Sequence, residues 1–201
     1  MSSVAFNPMI TSNSGSSSFL LESDGVVQGT SWDNPAAYMY LESGKYSNAT
    51  LTIPLLGGFP VLASVGGETS PNVGPTITLA TSGAPAFNGW STFDRQYSGI
   101  QIPGQVPYTW PGMTANFYRT GVGGVRLALQ CSAALAAALG TESESVAIYW
   151  NFTTNMLDTS GTQLTGARVV SKVFSNAMIC TYDSGNSTYS WQTGKAVMVL
   201  I

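Results

Sequence analysis

Four apolar side chains, Val125, Leu127, Leu129 and Cys131, alternate with Arg126, Ala128 and Gln130 along one short run. A period of two places the first set on one face of an extended strand. It does not match the face of a helix, which recurs about every 3.6 residues. The alternation returns where Val146, Ile148, Trp150 and Phe152 interleave with Ala147, Tyr149 and Asn151, and further apolar runs occupy 167–174, 177–182 and 195–201. Turn-forming clusters separate the later runs, Thr159-Ser160-Gly161 and Asp183-Ser184-Gly185-Asn186. The pattern predicts an antiparallel meander in the C-terminal half, feeding a sandwich or barrel.

Upstream the punctuation is denser. Short runs at 26–27, 38–41 and 49–53 are bounded by Asp24-Gly25, Asn34-Pro35 and Ser43-Gly44, which read as turns. Eight of the ten prolines fall between Pro54 and Pro111. Proline removes a ladder donor and fixes φ, so this stretch predicts long loops with short edge strands, notably around Thr76, Ile77, Thr78 and Leu79. One helix is expected: Ser132 as N-cap, an Ala-rich turn from Ala133 to Leu139, and Gly140 as its stop. Residues 1–18 are Ser-rich and poor in large apolar groups, which predicts an extended arm, mobile alone, or else ordered only by docking on a neighbour. The expected fold is all-β: a single antiparallel β-barrel or jelly-roll sandwich over 19–201, with a loop-rich region at 54–112 and the arm at 1–18.

A chain of 201 residues and 21.1 kDa is long enough to bury roughly 70% of its unfolded surface, so no disulfide or metal staple is required. Charged residues are only 8%, while Ser (25) and Thr (21) are abundant, so the surface is uncharged polar or covered by neighbours. Seven basic against ten acidic residues leave no basic stripe for a nucleic-acid backbone. Histidine is absent, which excludes Ser-His-Asp and Cys-His hydrolases, zincins and imidazole switches. Two cysteines, Cys131 and Cys180, are too few for a Cys₄ zinc site. The N-terminus has no basic and apolar signal pattern, so free thiols in a reducing cytosol are expected. No apolar run reaches the length of a membrane span.

Candidate motifs yield no chemistry. Gly121-Val122-Gly123-Gly124 and Gly194-Lys195 precede expected strands, whereas a phosphate loop must lead into a helix, so both read as turns. The sequons at Asn48, Asn151 and Asn186 are chance matches in a Ser/Thr-rich chain. Glu142 and Glu144 are too close in sequence to face each other across a glycosidase cleft. Ser171 and Lys172, adjacent on a strand, would point to opposite faces. The aromatic loop 107–112, with Tyr108 and Trp110, suits an interface anchor or a lid over the barrel end ahead of a sugar-stacking platform, because no acidic or amide cluster beside it supplies partners for hydroxyls. Arg119 and Arg126 are two of few cations, and Asp33 or Asp94 could pair with one of them.

Five ordered blocks carry a resemblance: 29–38 (from Gly29 through Trp32, Asp33 and Pro35 to Tyr38), 53–58, 91–94, 115–121 and 149–152. Together they resemble tailed-bacteriophage virion structural proteins, and among them the capsid cement (decoration) proteins. The resemblance implies a β-barrel or jelly-roll body on the outer surface of an icosahedral head. There, as a homotrimer, it would clamp neighbouring major capsid subunits. Such a protein is made in the host cytoplasm and is not an enzyme; it has no catalytic residue, cofactor or metal, and binds neither nucleic acid nor membrane. Residues expected at contact surfaces are Trp32, Asp33, Pro35, Asp94, Tyr108, Trp110 and Arg119. The alternative is a phage tail or fibre component that binds host glycans through exposed members of the set Trp32, Trp90, Trp110, Trp150 and Trp191.

Overall fold

The structure, a computed structural model of the chain, describes residues 4–5, 21–22, 25–31, 39–47, 54–64, 74–84, 86–93, 109–121, 124–140, 146–183, 185 and 188–201. Its strands are β1 (Val4–Ala5), β2 (Leu21–Glu22), β3 (Leu41–Tyr46), β4 (Pro60–Ala63), β5 (Thr76–Leu79), β6 (Gly89–Ser91), β7 (Thr114–Arg119) and β8 (Arg126–Gln130). Then come the helix α1 (Ala133–Leu139) and β9 (Tyr149–Asn151), β10 (Met156–Asp158), β11 (Thr162–Gln163), β12 (Arg168–Val169), β13 (Phe174–Asp183) and β14 (Thr188–Leu200). The described residues are all-β apart from that helix and one 3₁₀ turn. Within the expected arm, β1 pairs antiparallel with β2, and the rest of 1–18 lies outside the described residues.

Five strands close a barrel in the order β3-β5-β4-β6-β7. Alternation drives its lining: Tyr46, Val61, Ala63, Ile77, Ala115 and Phe117 point inward and are buried together with Leu55. Two expectations are corrected here. Ser43-Gly44 is not a turn but lies inside β3, and the run at 38–41 supplies only the start of that strand, Met39 and Tyr40 forming an exposed 3₁₀ turn. Gly44 is needed for close approach: a Cβ there would strike the Pro75 carbonyl and lie 2.8 Å from Ile77 Cγ1 on the neighbouring strand. The second correction concerns 54–111. Its strands are short, but β4, β5 and β6 each pair on both sides, so they are barrel members rather than edges. Closure satisfies their ladders. The barrel is not wholly antiparallel either, because β3 and β5 run parallel.

The C-terminal half follows its alternation. Val125, Leu127, Leu129 and Cys131 are all buried on one face of β8 and its ends. β13 and β14 pair as an antiparallel hairpin from the pair Asp183 and Thr188 onward, and β14 continues past β13 to pair with β12 and β8. Gly194 is another correction: it lies within β14 instead of in a turn before it. Ser132 caps α1 as expected, its Oγ accepting from Leu135 N at 3.1 Å, and Leu135 and Leu139 are the residues of the helix that are buried. The segment 26–31 joins two outer edges. Met178 N donates to Val26 O and Gln28 N to Met178 O, while Gly29 N donates to Ala128 O and Ala128 N to Thr30 O. The central core lies between barrel and sheet, with Trp90 and Tyr118 packed on Val125, Leu127, Trp150, Val197 and Val199. Core residues therefore come from both halves of the chain.

Candidate functional site

The described residues of the five blocks that carry the resemblance meet in space. Gly29 O accepts from Phe93 N at 2.7 Å and from Thr92 Oγ1 at 3.0 Å. Gly58 N donates to Ser91 O at 2.8 Å, and Ser91 Oγ donates to Leu56 O at 2.6 Å. Thr92 N reaches Asn116 O at 3.1 Å, and Tyr118 Oη bonds Ser31 Oγ at 3.3 Å. The last block joins through Trp150, which meets Trp90 edge-to-face at 5.1 Å. The joint is tight enough to require glycine. A Cβ on Gly29 would lie 2.5 Å from Gly57 Cα and 2.6 Å from Gly58 N. It also buries Gln28, 3% exposed, whose side-chain amide has no hydrogen-bond partner among the described residues. The blocks build the seam between barrel and sheet from backbone bonds and uncharged side chains.

Of the residues expected at contact surfaces, Trp32, Asp33, Pro35, Asp94 and Tyr108 lie outside the described residues. Trp110 is half-buried beside β7. Arg119 is paired, with Glu42: its Nε donates to Oε1 at 2.8 Å and to Oε2 at 3.0 Å. Sequence reasoning missed Glu42 because it lies 77 positions away, and only the β3–β7 register sets it opposite Phe117. Arg119 stands two residues beyond Phe117 on the same face, its guanidinium carbon 5.5 Å from that ring, so the ion pair closes one end of the barrel lining. Both partners are more than a third exposed, which makes the pair a weak tether. Among the five tryptophans, Trp90 and Trp150 are core residues and cannot serve as an exposed platform, and Trp191 packs against Phe93.

Both cysteines are free. Burial pushes the Cys131 thiol up to about 11, against a smaller opposing pull from Lys195, and pushes the Cys180 thiol up to about 12. Neither is a nucleophile at neutral pH. Asp158 behaves oppositely. Its Oδ1 accepts from Ser132 Oγ at 2.7 Å and Thr159 N at 2.8 Å, and Asn151 Nδ2 approaches Oδ2 at 3.3 Å. The Ser132 hydroxyl above all, then the Thr159 N–H, hold the carboxyl below its usual range. Asn151 Oδ1 in turn accepts from Thr153 N and Thr154 N, so one network ties the start of α1 to the turn between β9 and β10.

Two clefts open along the seam. One, about 300 Å³, lies beside Phe87, Trp90, Leu164 and Ile201. The other, about 440 Å³, lies between the barrel and the β9–β10 turn and includes Phe59, Gln130, Phe152, Asn155 and Cys180. Among the described residues no three acidic or cysteine side chains gather as a metal ion would need, and no helix is long and apolar enough to cross a membrane. No family model, curated protein or solved structure matches this chain.

Proposed function

We propose that the chain is a capsid cement (decoration) protein. Its barrel or jelly-roll body docks as a homotrimer on the outer surface of an icosahedral phage head and clamps neighbouring major capsid subunits, without performing chemistry. The observation that supports this reading is the convergence of the described residues of the five resembling blocks on one seam whose contacts are backbone bonds and uncharged side chains. What they share is the architecture of a body, held by backbone hydrogen bonds and an edge-to-face pair of indoles, and not a set of reacting groups. A surface poor in charge favours docking through uncharged area. Its mechanism is mass action: a protein that binds only the mature lattice stabilises that lattice.

Antibody labelling of virions that contain this chain tests the reading. Labelling over the whole shell is expected. Labelling confined to the tail overturns it in favour of a fibre component, and labelling absent from intact particles overturns both. Removing residues 1–18 is expected to leave the far-UV spectrum and thermal midpoint of the free protein nearly unchanged while weakening retention on shells. Unfolding of the truncated chain, or its full retention, would show that the segment is not a docking arm.

A further inference from the structure

We propose that the larger seam cleft, between the barrel and the β9–β10 turn, binds one neutral, hydroxyl-rich ring: a sugar unit. This goes beyond the shell-binding reading and does not depend on it. The volume of about 440 Å³ falls in the range of small-molecule sites, roughly 300 to 1,000 Å³. Three half-buried rings, Phe59, Phe152 and Tyr182, contribute to its walls. Two of these are held in place by edge-on packing, Phe59 against Trp150 and Phe152 against Phe87, each at 6.2 Å. A pyranose presents an apolar C–H face to such rings and a rim of hydroxyls to whatever lies beside them.

Beside them lie the amides of Gln130 and Asn155. Each carries two donors and an acceptor, and among the described residues neither makes a side-chain hydrogen bond within the protein. Among the described residues no Asp, Glu, Lys or Arg lines the cleft, and the Cys180 thiol that does is neutral. An ionic ligand would lose hydration there with nothing to compensate it, whereas a polyol would exchange water for amide partners.

The polar rim is built in advance. Asn155 has φ 53, alone among described non-glycine residues in the positive region, and its N–H is tied to Asn151 O at 2.8 Å. Asn151 is itself held by the Ser132–Asp158 network. A turn kept in a sparsely populated conformation by that many bonds presents Asn155 and Phe152 at little ordering cost on binding.

The test is an amide-resolved NMR titration of the full chain. The probes are neutral monosaccharides, a neutral oligosaccharide blocked at its reducing end, and glucuronate as the charged counterpart. At least one neutral sugar is expected to shift the amides of 152–155 and 180–182, with glucuronate markedly weaker. A response to the monosaccharide identifies a free sugar as the source. A response confined to the blocked oligosaccharide identifies a chain terminus, and both support the site. Asn155→Gly suits a positive φ and keeps the fold, so it should weaken binding about three- to tenfold at an unchanged thermal midpoint. Gln130→Leu provides the independent second variant with the same expected loss. The proposal is overturned if no neutral sugar shifts those amides at about 10 mM. It is equally overturned if glucuronate binds as well as its neutral counterpart, or if both variants bind like the parent.

Discussion

Two glycines with nearly identical φ allow the seam to be weighed. Gly25 has φ 79 and Gly29 φ 80, but a Cβ on Gly25 meets nothing within 4 Å, whereas on Gly29 it meets the Gly57–Gly58 backbone at 2.5 to 2.6 Å. Replacing either by alanine incurs the left-handed strain of about 1–2 kcal/mol, offset by about 0.4–1 kcal/mol from the stiffer unfolded chain. Gly25→Ala should therefore cost about 1 kcal/mol or less. In Gly29→Ala the new methyl group faces main chain, which has no rotamer to yield, so the two segments must separate by nearly an ångström. That movement strains the three hydrogen bonds centred on Gly29, to Phe93 N, Thr92 Oγ1 and Ala128 O, at about 0.5–1.5 kcal/mol each. The expected total is about 3–5 kcal/mol, a large share of a typical stability of about 5–15 kcal/mol. Guanidinium unfolding of both variants at equal m-value measures the difference, and the thermal midpoint of Gly29→Ala should fall by about 10 °C more than that of Gly25→Ala. If the two variants agree within about 1 kcal/mol, the seam yields easily and the close approach does not hold barrel to sheet.

Ser132→Ala removes both the α1 cap and the main donor to Asp158, so it should cost about 1–2 kcal/mol by denaturant titration. Asp158 is depressed in the fold, so the stability it contributes is present above the usual carboxylate range and lost as pH falls through its folded value. The acid limb of stability should be shallower in Ser132→Ala, and an unchanged limb would contradict the network. The two thiols are raised in the fold, so their contribution is complete below about 9 and declines as pH climbs toward 11 and 12. Thiol titration should find two groups after unfolding without reductant and very slow reaction before it. Gln28→Met removes a buried amide that has no partner and keeps its length, so it should stabilise by about 1 kcal/mol; a loss of stability would mean that the amide is satisfied.

Local rules explain the parts of this chain that the sequence determined by itself. The Ser132 cap, the Gly140 stop and the alternation of β8 depend on neighbours one to four positions away, and each took the expected form. The run 177–182 became part of β13, but the stretch of β14 that pairs with most of it, 188–194, precedes the expected run at 195–201 and was added by pairing with β13. Longer-range contacts decided the rest. Ser43-Gly44 has the composition of a turn, and it became strand because β5 approaches in parallel so closely that only glycine fits. The proline-rich middle has the composition of loops, yet its three short strands gain partners on both sides once the barrel closes, which no window of sequence reveals. Arg119 was legible as a residue in need of an anion, but Glu42 was not legible as that anion. The cleft likewise draws Phe59 from the barrel, Gln130 from β8, and Phe152 and Asn155 from a turn. Pairing register and closure are properties of segments brought together across long stretches of chain, and hydrophobic periodicity specifies which face a residue takes without specifying what it will face.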